Sequence, residues 1–176
     1  MKGVLFMRKI QTKLVVTIGL LTAMHIVLSR FLSINAWNIK IGFAFVPVFI
    51  AAWAYGPVPA AAVGALGDFL GAVLFPIGPY FPGFTLSCAL TGVIFGLLLH
   101  KEQTLPRIVA AVLLNQFGVS LLLTSFWISV LYSSPYVVLL GTRVIQSAIL
   151  TGVELLTITA LTRSTTAVRR QWGRTT

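Results

Sequence analysis

Between Lys40 and Lys101 the chain carries a single formal charge, Asp68. Apolar stretches of this length leave few folds open. About 20 consecutive apolar residues make a helix long enough to cross the hydrocarbon core of a bilayer. Chain buried there must satisfy its own backbone hydrogen bonds, as helices or as a closed barrel. The runs are continuous and lack the period-two alternation of barrel strands, so helices remain. Composition agrees: 57% of the 176 residues are hydrophobic and 9% charged, against about a quarter charged in soluble domains, and the mean hydropathy is +0.97. A water-soluble domain of this size keeps too much surface exposed to hide so much apolar side chain. No polar linker divides the chain. It reads as one all-α, membrane-embedded domain over 1–176, with basic tails at about 1–12 and 163–176.

Spans fall near 13–32, 41–56, 58–75, 83–100, 106–132 and 136–162. The second and third are separated only by Tyr55-Gly56-Pro57-Val58-Pro59, where proline stops one helix and opens the next. The opening MKGVLFMRKIQTKL begins like a signal peptide. The apolar run after it is too long and lacks a small-residue cleavage site, so it reads as a retained first span. The net charge of +10 does not describe a nucleic-acid surface, because the cations flank spans: Lys2, Arg8, Lys9 and Lys13; Lys101 and Arg107; Arg163, Arg169, Arg170 and Arg174. Such clusters are topology signals, with attraction to anionic membrane lipid as a second effect. Six helices put all three clusters on one side, the cytoplasmic one, with both termini there.

Three cations do not obey that rule. Arg30 ends the first span, Lys40 begins the second, and Arg143 lies about two turns into the last from its outer end. Each alone is explained by snorkelling to lipid phosphates; the three together also describe an anion site. Near them lie two aromatic outer loops. The first is Phe31-Leu-Ser-Ile-Asn-Ala-Trp37-Asn38-Ile-Lys40. In the second, Pro76, Pro79 and Pro82 forbid a continuing helix and display Phe75, Tyr80, Phe81 and Phe84. Interfacial aromatics serve as anchoring belts. Stiff loops bearing rings also suit a lid over a flat ligand with carboxylates, stacked on its face and paired at its anionic end.

Asp68 lies near the middle of the third span, and an ionisable group there is functional by default. Its carboxylate accepts two parallel N–H bonds, as a 2-aminopyrimidinone edge offers them; the alternative is a structural ion pair with Arg143 or Arg30. Glu154, toward the inner end of the last span, is assigned no substrate role. The fifth span carries Asn115, Gln116, Ser120, Thr124, Ser125 and Trp127, for helix-to-helix hydrogen bonds or a pocket lining. Gly64, Gly67 and Gly71 describe a tightly packed face, and Gly19-x-x-x-Ala23 is a small-residue pair on the first span. Cys88 is a lone cysteine in apolar sequence and reads as core packing. No Gly-x4-Gly-Lys-Ser/Thr loop is present, so the chain does not itself hydrolyse nucleotide. No residue cluster has metal-ligand spacing, and no cofactor is expected. A six-helix protein with a pocket and no engine needs a partner.

Leu28-Ser29-Arg30-Phe31, Ile41–Pro47 and the long motif Gly67–Ser87, with Trp127–Tyr132 and Thr142–Ile145, resemble the folate-specific S components of bacterial energy-coupling factor (ECF) vitamin transporters. The resemblance implies a multi-pass subunit of the bacterial cell membrane that is not an enzyme. It implies a pocket near the outer face, closed by the loops after the first and third spans. Such subunits join a membrane scaffold subunit and two cytoplasmic ATPases and are thought to topple to release vitamin. In that family a small-x-x-x-small pair on the first helix, usually two alanines, meets the scaffold; it maps here to Gly19 and Ala23. Folate has a flat pterin and a tail with two carboxylates. That implies Arg30, Lys40 and Arg143 for the tail, Asp68 or Asn115 for the pterin edge, and Trp37, Phe81, Phe84 and Trp127 for stacking, with Asn38 and Tyr80 on the covering loops. Arg143 is equally placed to hold Asp68. Three alternatives stand beside this: the same scaffold binding thiamin, riboflavin or biotin; a membrane enzyme acting on lipid through Asp68 and Glu154; and an assembly subunit with no small ligand.

Overall fold

The computed structural model describes residues 2–36 and 39–172, with side chains described for 12–33 and 41–164. The chain forms helix α1 (Lys2–Arg30), a hairpin of β1 (Ser33–Ala36) and β2 (Ile39–Gly42), then α2 (Phe45–Tyr55), α3 (Pro57–Leu74), α4 (Pro82–Leu99), α5 (Leu105–Tyr132) and α6 (Tyr136–Trp172). Five of the helices among the described residues are long and apolar enough to cross a membrane; Phe45–Tyr55 is shorter.

The hairpin is the main departure from expectation. A loop was expected at 31–40 and a helix from 41, but Ser33 pairs with Gly42 and Asn35 with Lys40 in an antiparallel ladder. Branched residues alternate with polar or small ones in Ser-Ile-Asn-Ala and Ile-Lys-Ile-Gly, the period-two pattern of a strand. The Ser33 hydroxyl donates to the Ser29 carbonyl at 2.6 Å and fastens the hairpin to the end of α1. The second span is shortened accordingly. At 1.5 Å per residue α2 is only about 16 Å long. It is buried through Phe45, Pro47, Val48, Phe49, Ala51 and Ala52 and packs against α1, α3, α4 and α6.

Turns with separate physical causes join the helices. Gly56 adopts φ +89°, a conformation that side-chain-bearing residues resist. The His100 ring packs under it and its Nδ1–H is shared between the carbonyls of Ala52 and Trp53, at 3.2 and 3.1 Å, in the last turn of α2, where the Gly56 N–H also meets the Ala52 carbonyl at 3.0 Å. This brings the ends of α2 and α4 together at one pole. At the other pole lie the hairpin, the end of α3, the start of α4, the end of α5 and the start of α6. Lys101, Glu102, Arg107 and Arg163 follow the first pole, with Arg107 and Glu102 paired at 3.1 Å.

The closest helix pair is α3 with α4. A methyl group on Gly64 would run into the backbone at Cys88, and one on Gly92 into the backbone at Ala60. Gly92→Leu is therefore expected to lower stability by roughly 1–3 kcal/mol or more, the cost of overpacking; thermal unfolding of the detergent-solubilised protein checks it. The apolar core, with Phe49, Ala52, Ala60, Val63, Phe95, Leu99, Ile108 and Ile158, is concentrated toward the charged pole. Buried polar groups gather instead at mid-depth and toward the hairpin: Ser87, Asn115, Gln116, Ser125, Arg143, Gln146, Ser147 and Glu154. Along α6 the buried positions Leu139, Arg143, Ser147, Leu150, Glu154 and Ile158 recur at helical spacing, so one stripe faces the bundle.

Candidate functional site

At the hairpin pole Arg30 and Asp68 meet. The Arg30 Nη2 is 3.7 Å from Asp68 Oδ1 and donates to the Asp68 carbonyl at 3.4 Å, with both side chains nearly buried. Thr85 donates to Asp68 Oδ2 at 2.8 Å, and the Tyr80 hydroxyl is 3.3 Å from Thr85. Of the two ion pairs the sequence left open for Asp68, Arg30 is the one formed. Gly71 makes room for it: a Cβ there would lie 2.9 Å from Arg30 Nε. That Nε is buried and has no hydrogen-bond partner among the described residues.

Beside this pair is a cluster of rings. Phe81 stands 5.6 Å from Trp127 and 6.0 Å from Phe84, centroid to centroid, and Phe126 is 5.2 Å from Trp127. Pro82 starts α4 directly after Phe81, and Gly83 lets the rings close over the helix end; a Cβ there would be 2.5 Å from Trp127 and 2.6 Å from Phe81. The indole N–H donates to Ser87 Oγ at 3.2 Å, which fixes the plane of the ring. Phe31 and Phe75 meet edge to face at 5.1 Å and so join the segments that follow α1 and α3. Tyr80 packs on Phe69 at 5.7 Å.

A third group lies deeper. Residues Leu114–Leu123 of α5 are wound as a π-helix, a rare geometry that gathers at functional sites. From it Asn115 Nδ2 donates to both Glu154 oxygens at 3.1 and 3.3 Å, and Gln116 Nε2 donates to Oε1 at 2.8 Å. Thr91, halfway along α4, donates to Asn115 Oδ1 at 2.7 Å. One turn nearer the hairpin, the Ser120 carbonyl accepts from Arg143 Nη2 at 3.1 Å.

The predicted residues thus separate into layers. Arg30, Asp68 and Tyr80 share one polar cluster; Phe81, Phe84 and Trp127 share another surface; Asn115 lies below them with Glu154, and Arg143 lies between. Trp37 and Asn38 fall outside the described residues, as does the Lys40 side chain. Among the described residues Asp68 and Glu154 belong to separate clusters with no common partner, whereas the membrane-enzyme alternative needs them side by side. Sequence reasoning gave no role to Thr85, Ser87 and Thr91. The faint signal was Ser87 and Thr91 at a spacing of four, which puts two hydroxyls on one face of an apolar helix.

Comparison with known proteins places the chain in a family. Residues 9–163 match a family model described as "ECF-type riboflavin transporter, S component". The folate transporter FolT of Clostridium novyi is 35% identical over 149 residues, 84% of this chain and 87% of that protein. That of Leuconostoc mesenteroides is 28% identical over 154 residues, 84% of this chain and 83% of that protein. A crystal structure of FolT bound with folic acid superposes with a TM-score of 0.81 at 32% identity, covering 85% of this chain and 92% of that one. The S component of a bacterial ECF transporter shares the fold at a TM-score of 0.62 and 23% identity, covering 87% of this chain and 97% of that one. The chain is a multi-pass membrane protein and belongs to the S-component family of ECF-type transporters.

Proposed function

We propose that this S component captures folate at the hairpin pole and passes it inward with an ECF module of one membrane scaffold subunit and two ATPases. The observation that carries the reading is the ring cluster of Phe81, Phe84 and Trp127 at the start of α4, where Thr85 also holds the nearly buried Arg30–Asp68 pair, in a chain whose relatives are folate transporters. Flat rings stack on a pterin or aminobenzoyl face. Guanidinium groups in a water-poor site make the strong, charge-assisted bonds that carboxylates accept. Arg30 receives the glutamate tail, and Tyr80 covers it from the 75–81 segment. No reaction is required of any of these residues, and the chain acts as a binding subunit, not an enzyme.

Gly19 and Ala23 support the partnership. Both are exposed on α1, and a Cβ on Gly19 would meet nothing within 4 Å. A small-residue face lets another helix approach closely.

Thermal unfolding of the purified protein with folic acid, riboflavin or thiamin tests the reading. Folic acid at a hundred times its Kd is expected to add about 2.7 kcal/mol and to raise the midpoint visibly, while the other two leave it unchanged. Stabilisation by riboflavin or thiamin and not by folic acid overturns the assignment.

A further inference from the structure

Among the described residues no cation pairs with Glu154. The residue is 3% exposed, and the groups that meet its carboxylate are two neutral amides, from Asn115 and Gln116. A carboxylate offers about four lone-pair sites, and here two N–H2 groups supply all the donors. Gln116 adds to the surplus. Because its Nε2 donates to Glu154, its Oε1 is turned elsewhere, and that oxygen is buried with no hydrogen-bond partner among the described residues, the residue being 3% exposed. Acceptors left without donors in an apolar interior cost free energy, so a retained surplus of them calls for a donor from outside the chain.

The surroundings specify what kind. Thr91 holds Asn115 from one turn below Ser87, and Ser87 orients Trp127. The acceptors therefore lie about 6 Å along α4 from the level of the ring platform, at 1.5 Å per residue. One turn along the same π-wound stretch of α5, Arg143 donates to Ser120. A flat ligand whose edge reached this level would meet the acceptors of Glu154 and Gln116, with the Arg143 guanidinium one turn of α5 away. The edge of a 2-amino-4-oxopteridine is complementary: its 4-oxo group accepts, and its N3–H and 2-amino group both donate. An imide edge, as in a flavin or a 2,4-dioxopteridine, has one N–H between two carbonyls and would set an oxygen against Glu154.

We infer that Glu154, with Gln116 Oε1, receives the N3–H and 2-amino donors of the pterin, and that this pair selects 2-aminopteridines over imide-type rings. The inference rests on the folate reading above and moves the pterin-edge role from Asp68, which Arg30 and Thr85 already occupy.

The test uses the full-length protein and labelled folic acid, displaced by pterin or by lumazine, which differ only in a 2-amino or 2-oxo group. Pterin is expected to compete at roughly 100-fold lower concentration than lumazine, since a site built to pair a donor rejects the analogue lacking it. In Glu154→Gln the two competitors are expected to approach parity. Should that variant fail to fold, Gln116→Met removes the orphan oxygen and is expected to cut the ratio about tenfold. Failure of the wild-type protein to bind folic acid would sink the folate reading itself. Folic acid binding with the pterin-to-lumazine ratio unchanged in either folded variant, or no preference in the wild-type protein, overturns the role of Glu154 and leaves that reading standing.

Discussion

Ala23→Trp is expected to bind folic acid as the wild-type protein does and to support almost no folate uptake. The reason lies in how α1 is divided. Leu21, Thr22, His25 and Ser29 are buried, and the His25 Nδ1–H donates to the Ala44 carbonyl at 2.9 Å, tying α1 to the chain just before α2. The opposite side carries Val15, Val16, Gly19, Leu20, Ala23 and Val27, all exposed. Tryptophan at position 23 therefore displaces nothing in this chain, and such surface changes shift stability by at most about 0.5 kcal/mol. A partner helix packed on Gly19 and Ala23 meets it differently. Small residues at this spacing let backbones come close, and a bulky ring removes the contact on which association in lipid depends. Calorimetry on the isolated protein should give an affinity within about twofold of wild type. Uptake of labelled folate by cells making the whole transporter should fall to a small fraction of normal. Normal uptake would remove α1 from the docking surface, and lost binding would place Ala23 within the fold's own packing.

The helices were legible because a membrane interior permits little else. Apolar run length and proline placed α3, α4 and α5 within a residue of their observed ends and the start of α6 at Tyr136, while α6 runs on to Trp172, ten residues past its expected end. The hairpin was less legible: four-residue strands give a short alternation, and here it was read as part of an aromatic loop and of the second span. The π-helix left no trace in the sequence, since Leu-Asn-Gln-Phe-Gly-Val-Ser-Leu-Leu-Leu has no local preference for a wider turn; its Asn115 and Gln116 amides are met by Glu154 from another helix. For the site, residue types were readable and pairings only in part: an ion pair of Asp68 with Arg143 or Arg30 was left open between the two, and that of Asn115 with Glu154 was not foreseen. Arg30 and Asp68 are 38 positions apart, and Asn115 and Glu154 are 39 apart; no local spacing rule connects residues that distant. The aromatic cluster was easier, because Phe81 and Phe84 are anchored by the prolines beside them.

Arg30→Met is expected to damage stability more than Arg30→Met combined with Asp68→Leu, and the comparison separates the two duties of this arginine. Removing the guanidinium alone leaves Asp68 nearly buried with Thr85 as its side-chain donor. Breaking a buried pair from one side costs about 3–5 kcal/mol, while replacing both members by apolar groups is often neutral. Thr85 keeps Tyr80 as a hydrogen-bond neighbour at 3.3 Å in the double variant, so stability there is expected to return to within about 1 kcal/mol of wild type. Affinity should behave otherwise. If Arg30 meets the folate tail, both variants lose a charge-assisted bond of about 1.5–3 kcal/mol, a weakening of roughly 10- to 100-fold. Chemical denaturation in detergent reads the first quantity and calorimetry with folic acid the second. Recovery of stability without recovery of affinity is the expected pattern. Recovery of both would make Arg30 a clamp for Asp68 and nothing more, and the anionic tail would then have to be held by Lys40 or Arg143.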